Sequence, residues 1–428
     1  MTSETAPLLY AELLSNIRQI SLAISLGSAS DASTQVVVAA DGENVELKHH
    51  GQSHTLRLPS KVALGGAILP IQRPGASALS WRLPLGQATD TDASSAESST
   101  WTATDLKAGS QVACRQCQAV VVNQDVVKVW KDLPSENWAE MMEFWHCHKP
   151  GDHDHDHDDH HHHDKSNAVS ASQTSGQGAK ADDMSLAARG YGASSVISAQ
   201  QSVGFVDLTT LLFVEQDCSN ITYSLSTPEH GSPDRQAVAP DESSSQIRSL
   251  NVFCSSCQAH LGFYNFRTAA VTLLKWQISC DSVSNLNPGL EECLAATLVS
   301  TIARSGSSKS LLLPITETIA TTEEDVIGKD KVVHIWVLNS GIVYSSSAET
   351  AATRPGARSG TLAIKLLYRL VPREEADRML DSLTGDAQEV NLPVKAIQEV
   401  MQHLDRSNSL LPTTERVFKE WKVGLLRR

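Results

Sequence analysis

Apolar and polar positions alternate with a period of two along much of this chain, which is the signature of half-buried strands. Residues 1–110 contain ISLAISL (20–26), TQVVVAA (34–40), NVELKHH (44–50), HTLRLP (54–59) and LSWRLPL (79–85). Asp41-Gly42 separates two of these runs as a hairpin turn would. The polar stretch TDTDASSAESST (89–100) has no period and reads as a loop. This first part is expected to form a β-rich half.

Residues 111–150 make a segment of a different kind. Cys114 and Cys117 open it, AVVV and VVKVW follow as strands, and Asn123-Gln124-Asp125 lies between them as a turn. Pro134-Ser135 then starts a short helix with Ser135 as its N-cap. Trp138, Met141 and Trp145 fall on one face of it, and Cys147 and His148 follow its last turn. Residues 151–200 have neither period, and their Asp, His, Ser and Gly content cannot bury enough apolar surface to offset ordering entropy. They read as a disordered insertion.

Residues 201–428 return to strands: GFVDLTTLLFVEQ, ITYSLS, NVFCSSCQAHLGFYNF, AVTLLKWQISC, SLLLPITETIA, VVHIWVLNSGIVYSSS and LAIKLLYRLV. ECLAATLVSTI fits either a helix or a strand. The end reads as helical. Ala376, Met379, Leu380 and Leu383 form one stripe, and Val394, Ile397, Met401 and Leu404 form another behind Pro393. A last amphipathic piece holds Val417, Phe418 and Trp421. The expected fold is α+β: a β-rich, two-lobed protein with a four-cysteine zinc knuckle joining the lobes and helices at the C-terminus.

Composition narrows the function classes. The 428 residues are 41% hydrophobic and 20% charged, with a net charge of −14. No basic stripe is present, so direct nucleic-acid binding is not expected and protein partners are. No apolar run approaches the ~18–20 residues of a membrane span. The first residues lack the basic and apolar regions of a signal peptide, so cytoplasm and nucleus are the expected compartments. In those compartments thiols bind metals or react rather than pair.

Of eight cysteines, four form two C-x-x-C pairs, Cys114/Cys117 and Cys254/Cys257. Each such turn can place two thiolates on one side of an ion, and two turns complete the tetrahedral shell that a structural Zn²⁺ requires. The expectation is one zinc site of four thiolates spanning 136 intervening residues. Gly262 is expected to serve the tight turn of the second knuckle. Cys147 and His148 sit beside His146, so Cys147 could be an activated thiol or a ligand offered to a partner's metal. A packed helix end is the alternative. The tract from Asp152 to Asp164 holds seven of sixteen histidines and could bind metal loosely. A solvated low-complexity insertion explains it equally.

Leu133-Pro134-Ser135-Glu136-Asn137-Trp138, the W-x-C-H run at 145–148, and the second C-x-x-C with Leu261-Gly262 together resemble the HECT-like, ubiquitin-conjugating-enzyme-binding family of E3 ubiquitin-protein ligases. HIWVLNSGIVYSSS and AIKLLYR resemble the C-terminal half of that family. The resemblance implies a ligase that binds a charged ubiquitin-conjugating enzyme and promotes ubiquitin transfer to protein lysines. It also implies an association with pre-mRNA 3′-end processing. There Trp138, Trp145, Cys147 and His148 would engage a metallo-β-lactamase-type cleavage endonuclease. HECT enzymes keep a catalytic cysteine near the C-terminus, whereas no cysteine follows Cys293 here. Cys147 is therefore the candidate catalytic thiol, ahead of Cys218, Cys280 and Cys293. Two other readings stand beside the ligase: a non-catalytic, zinc-stapled chaperone of that endonuclease, and a zinc-stabilised thiol enzyme of the methionine sulfoxide reductase kind.

Overall fold

The computed structural model describes residues 6–86, 100–133, 198–224, 249–266, 268–283, 286–315, 330–349, 360–382 and 387–428. Among them, four sheets and three α-helices carry the fold.

The largest sheet is organised by one strand, Lys331–Ser346. At ~3.3 Å per residue its sixteen residues reach about 50 Å, enough for two neighbours end to end along one side. Lys309–Pro314 pairs with its first half and Leu8–Leu14 with its second. Thr361–Pro372 runs along its other side, followed by Trp421–Arg427 and the two-residue edge strand Val417–Phe418. Gln19–Ser25 and Ala78–Pro84 continue the sheet beyond Leu8–Leu14. Gln388–Leu392 adds in parallel to Lys309–Pro314. Irregularities in register fall at Val337–Ile342, where Asn339-Ser340-Gly341 interrupts the apolar alternation.

Helices α1 (Leu290–Ser305) and α3 (Val394–Ser409) lie on one face of this sheet. Leu294, Leu298, Ile397, Val400 and Leu404 pack against Val333, Ile335, Leu366, Tyr368 and Leu426. Each fully buried aliphatic side chain contributes about 1.5–3 kcal/mol. The ECLAATLVSTI segment is therefore a helix. Glu292 caps its start by accepting from the Gly289 N–H, and Gly306, at φ +71°, ends it. Helix α2 (Arg373–Leu380) lies between them in sequence and covers Leu311, Leu313, Val332 and Val371 with Ala376. Of the stripe expected there, Leu383 lies outside the described residues. The last amphipathic piece corrects the sequence expectation: Val417, Phe418 and Trp421 are in strands, not a helix. Phe418 lies directly opposite Trp421, with Lys419 left-handed at φ +54° in the loop between them. A two-residue hairpin loop explains the i, i+3 spacing that mimicked a helical stripe.

A four-stranded sheet (Gln52–Arg57, Asn44–His49, Gln35–Val38, Ile68–Leu69) packs its Val36, Val38, Val45 and Leu47 onto Leu9, Leu22, Ile24 and Leu83 of the large sheet. Asp41-Gly42 does make the turn between two of its strands, with Gly42 at φ +73°.

The remaining two sheets face each other across a shared core. The seven-stranded one runs Val129–Asp132, Val203–Val206, Thr210–Val214, Ala270–Leu274, His260–Asn265, Ser249–Cys254, Ile221–Ser224. The three-stranded one is Ile278–Cys280, Val112–Cys114, Val120–Val122. Val112, Val121, Phe213, Val252, Leu261, Val271, Leu273 and Ile278 fill the space between. The two C-x-x-C turns sit at the rim of this core.

Candidate metal centre

Each C-x-x-C turn grows from the end of a strand. Val112–Cys114 leads into the first, and Ser249–Cys254 into the second. The local sequences share a pattern, C-R-Q-C-Q-A at 114–119 and C-S-S-C-Q-A at 254–259, and the backbone repeats with them. The Cys114 N–H donates to the Ala119 carbonyl at 2.8 Å and the Gln118 N–H to the Cys114 carbonyl at 2.9 Å. In the second turn the Cys254 N–H donates to Ala259 and the Gln258 N–H to Cys254, both at 2.9 Å. Gln118 and Gln258 take left-handed φ values of +62° and +60°. Each folds its side-chain amide back onto a knuckle carbonyl, Arg115 at 2.9 Å and Ser255 at 3.2 Å.

The turns meet. Cys114 Sγ lies 3.6 Å from Cys257 Sγ, and Cys117 Sγ lies 3.5 Å from Cys254 Sγ. All four sulfurs are within 4.8 Å of one another. Four thiolates held tetrahedrally at ~2.3 Å from one ion stand about 3.8 Å apart, so the cluster matches the size of such a shell. Cys114 and Cys254 are buried, Cys257 is half-buried and Cys117 is exposed. Without a cation the thiols titrate unequally. Burial raises Cys114 against the N–H groups of Cys117 and Gln116. Burial also raises Cys257 to about 12. Cys254 is buried too, but hydrogen bonds from the Cys257 and Ser256 N–H groups outweigh burial and bring it to about 7. These N–H groups are the outer donors that stabilise a bound thiolate. The expected meeting of Cys114, Cys117, Cys254 and Cys257 in one place is present, and the four can hold one metal ion.

Arg115 anchors the first knuckle. Its side chain donates to the carbonyls of Ile278 (3.2 Å), Lys275 (3.4 Å) and Pro288 (2.8 Å), the last just before α1. Lys275 is fully buried beside it, and its Nζ donates to the carbonyls of Trp101 at 2.6 Å and Leu208 at 3.3 Å. Burial lowers this ammonium to about 8. The second knuckle is held by backbone instead: the Ser255 N–H donates to Asn220, and the Asn220 side chain donates to Val120 beyond the first knuckle. Arg115, Gln118, Asn220 and Gln258 were not anticipated. The shared C-x-x-C-Q-A pattern was the signal for the two glutamines, while nothing local marks Arg115 or Asn220.

The other described cysteines are not poised for chemistry. Burial raises Cys280 and Cys293 to about 12, and both are core side chains as expected. Burial, with Asp217 and Glu215 adding to it, raises Cys218 to about 12 as well. The helix expected after Pro134, with Trp138, Trp145, Cys147 and His148, and the Asp152–Asp164 tract lie outside the described residues.

Asp31, His49 and His50 form a second close group, but its geometry does not suit one ion. The two imidazoles stack 4.0 Å apart at 20°, so their in-plane lone pairs run nearly parallel and do not converge. His49 is instead bound through Nε2 to Ser28 at 2.8 Å and through Nδ1 to Thr34 at 2.9 Å.

The sequence profile of the HECT-like ubiquitin-conjugating enzyme (E2)-binding family matches residues 12–423. The chain belongs to that family. An uncharacterised protein of Schizosaccharomyces pombe is 23% identical over 332 residues, 76% of either chain. An uncharacterised protein of Saccharomyces cerevisiae is 40% identical over 52 residues, 12% of this chain and 15% of its own. No solved structure matches. Membership places the chain in the ubiquitin pathway, and all four cysteines of the metal centre lie within the matched span.

Proposed function

We propose that this protein is an E3 ubiquitin-protein ligase that binds a charged ubiquitin-conjugating enzyme and promotes transfer of ubiquitin to protein lysines. The ion held by Cys114, Cys117, Cys254 and Cys257 is Zn²⁺ on this reading. Four thiolates in a tetrahedral shell suit it, and a closed shell leaves no open position for substrate, so its role is structural.

An accounting of thiols carries the mechanistic part. A thioester relay needs an accessible sulfur that ionises near neutral pH. Four of the eight cysteines are committed to the metal cluster. Burial holds Cys218, Cys280 and Cys293 near 12. Cys147 is the one that remains. Its thiolate attacks the thioester carbonyl of the charged enzyme, and the enzyme's own cysteine thiolate leaves. A substrate lysine amine then attacks the new thioester and releases Cys147. Trp138, Trp145 and His148 are assigned the partner-binding role on the family resemblance.

Single-turnover discharge of a charged conjugating enzyme tests this. The wild type should form a ubiquitin adduct that reductant cleaves, and Cys147→Ser should not, while still binding the enzyme. An adduct that persists in Cys147→Ser would remove the assignment. Discharge to lysine that no amount of this protein accelerates would remove the ligase reading itself.

A further inference from the structure

The face of the large sheet opposite α1 and α3 carries a cross-strand row of unusual composition. Leu311 lies opposite His334, His334 opposite Arg369, and Trp421 opposite Phe418. The Arg369 guanidinium stands 4.7 Å from the centre of the Trp421 ring. His334 and Trp336 both meet that indole edge-on, at 4.8 Å and 6.1 Å. Lys309 Nζ lies 5.5 Å from the Trp336 ring.

Three properties mark this face as unfinished. His334 is 3% exposed, yet among the described residues neither of its ring nitrogens has a hydrogen-bond partner, and Arg369 Nε is buried without one as well. Buried polar groups left unsatisfied in this way cost stability. Phe418, in the sheet's edge strand, points to this face and is 52% exposed. The charge is also unbalanced. Arg369 pairs with Glu375 and Lys365 with Glu12, whereas Lys309 and Lys419 have no carboxylate within ion-pair distance among the described residues. Spare positive charge is notable on a chain of net charge −14. Trp, Arg and other aromatic side chains clustered with a charged margin are the composition of binding hot spots.

We propose that this face is the docking surface for the ubiquitin-conjugating enzyme, which presents carboxylates around an apolar side chain. The apolar side chain lies on the exposed Phe418, which is paired across its hairpin with the buried Trp421, and the carboxylates meet Lys309 and Lys419. This rests on the reading that the chain binds such an enzyme, and it adds where and by what chemistry.

The test measures affinity of the full chain for a panel of purified ubiquitin-conjugating enzymes. At least one should bind the wild type, more weakly as salt rises. Phe418→Ala should weaken that binding at least tenfold with an unchanged melting temperature, because the side chain is half exposed. Lys309→Glu should weaken it and flatten its salt dependence. Ile68→Ala, at a side chain of the four-stranded sheet that is 64% exposed, should leave it unchanged. Binding within twofold of wild type in both Phe418→Ala and Lys309→Glu overturns the proposal and leaves the ligase reading standing. So does a Phe418→Ala variant that loses only self-association or only binding to free ubiquitin. If no enzyme of the panel binds the wild type, the underlying reading fails, and the docking surface with it.

Discussion

Gly262 sits where its strand passes Ala270–Leu274 so closely that a Cβ would stand 1.9 Å from the Thr272 carbonyl oxygen. The sequence suggested that this glycine serves the knuckle turn. The turn instead rests on Gln258 in the left-handed region, and the glycine permits the close strand contact one bulge further on. Glycine next to a C-x-x-C is legible, but whether it frees φ or removes a Cβ depends on a residue of the neighbouring strand. Gly262→Ala should cost about 3 kcal/mol, from overpacking against backbone that cannot move aside; an unchanged denaturation midpoint would contradict the contact. His334 supports a second expectation. Burial, with Arg369 and then Lys309 adding to it, holds its imidazole near 4, below the ~6.5 of an unfolded chain. The unfolded state therefore binds more protons between those values, and stability falls as pH drops from about 6.5 to about 4. His334→Phe should flatten that part of the stability–pH curve; a variant with the wild-type slope would show that the ring is not buried neutral.

Among the elements, Leu8–Leu14 is the most consequential and was the least visible. LLYAELL lacks a strict alternation because both faces of this strand are largely covered, with Leu9, Tyr10, Ala11 and Glu12 all buried. A central strand loses the period-two signal that an edge or one-sided strand keeps. It lies between Gln19–Ser25 and Lys331–Ser346, so it joins strands from opposite ends of the chain. Removing residues 1–14 should abolish soluble, cooperatively unfolding protein rather than trim a tail. A truncated chain with a wild-type melting temperature would contradict the topology. The strands at 19–25, 35–38, 44–49 and 78–84 were legible because one of their faces is wet or polar. The C-terminal hairpin was not, because a two-residue loop spaces Phe418 and Trp421 as a helix would.

At the scale of the molecule, β-rich architecture and the four-cysteine cluster were both readable from pattern and spacing. Tetrahedral thiolate coordination has few sequence solutions, and two C-x-x-C pairs are one of them. The meeting of segments 136 residues apart was readable only as an expectation, since it depends on the shared core that brings both turns to one rim. The central claim is that one metal ion bridges the two knuckles and holds that core closed. Because binding energy at such a site is folding energy, the most direct measurement combines metal identity with stability. Cobalt exchanged into the metal-depleted wild type should give one equivalent with tetrahedral ligand-field and thiolate charge-transfer bands, a signature that histidine–aspartate binding in the 152–164 tract does not produce. Cys257→Ser should lose the four-thiolate spectrum and melt at a clearly lower temperature. A wild type without thiolate bands, or a Cys257→Ser variant that melts with the wild type, would contradict the account.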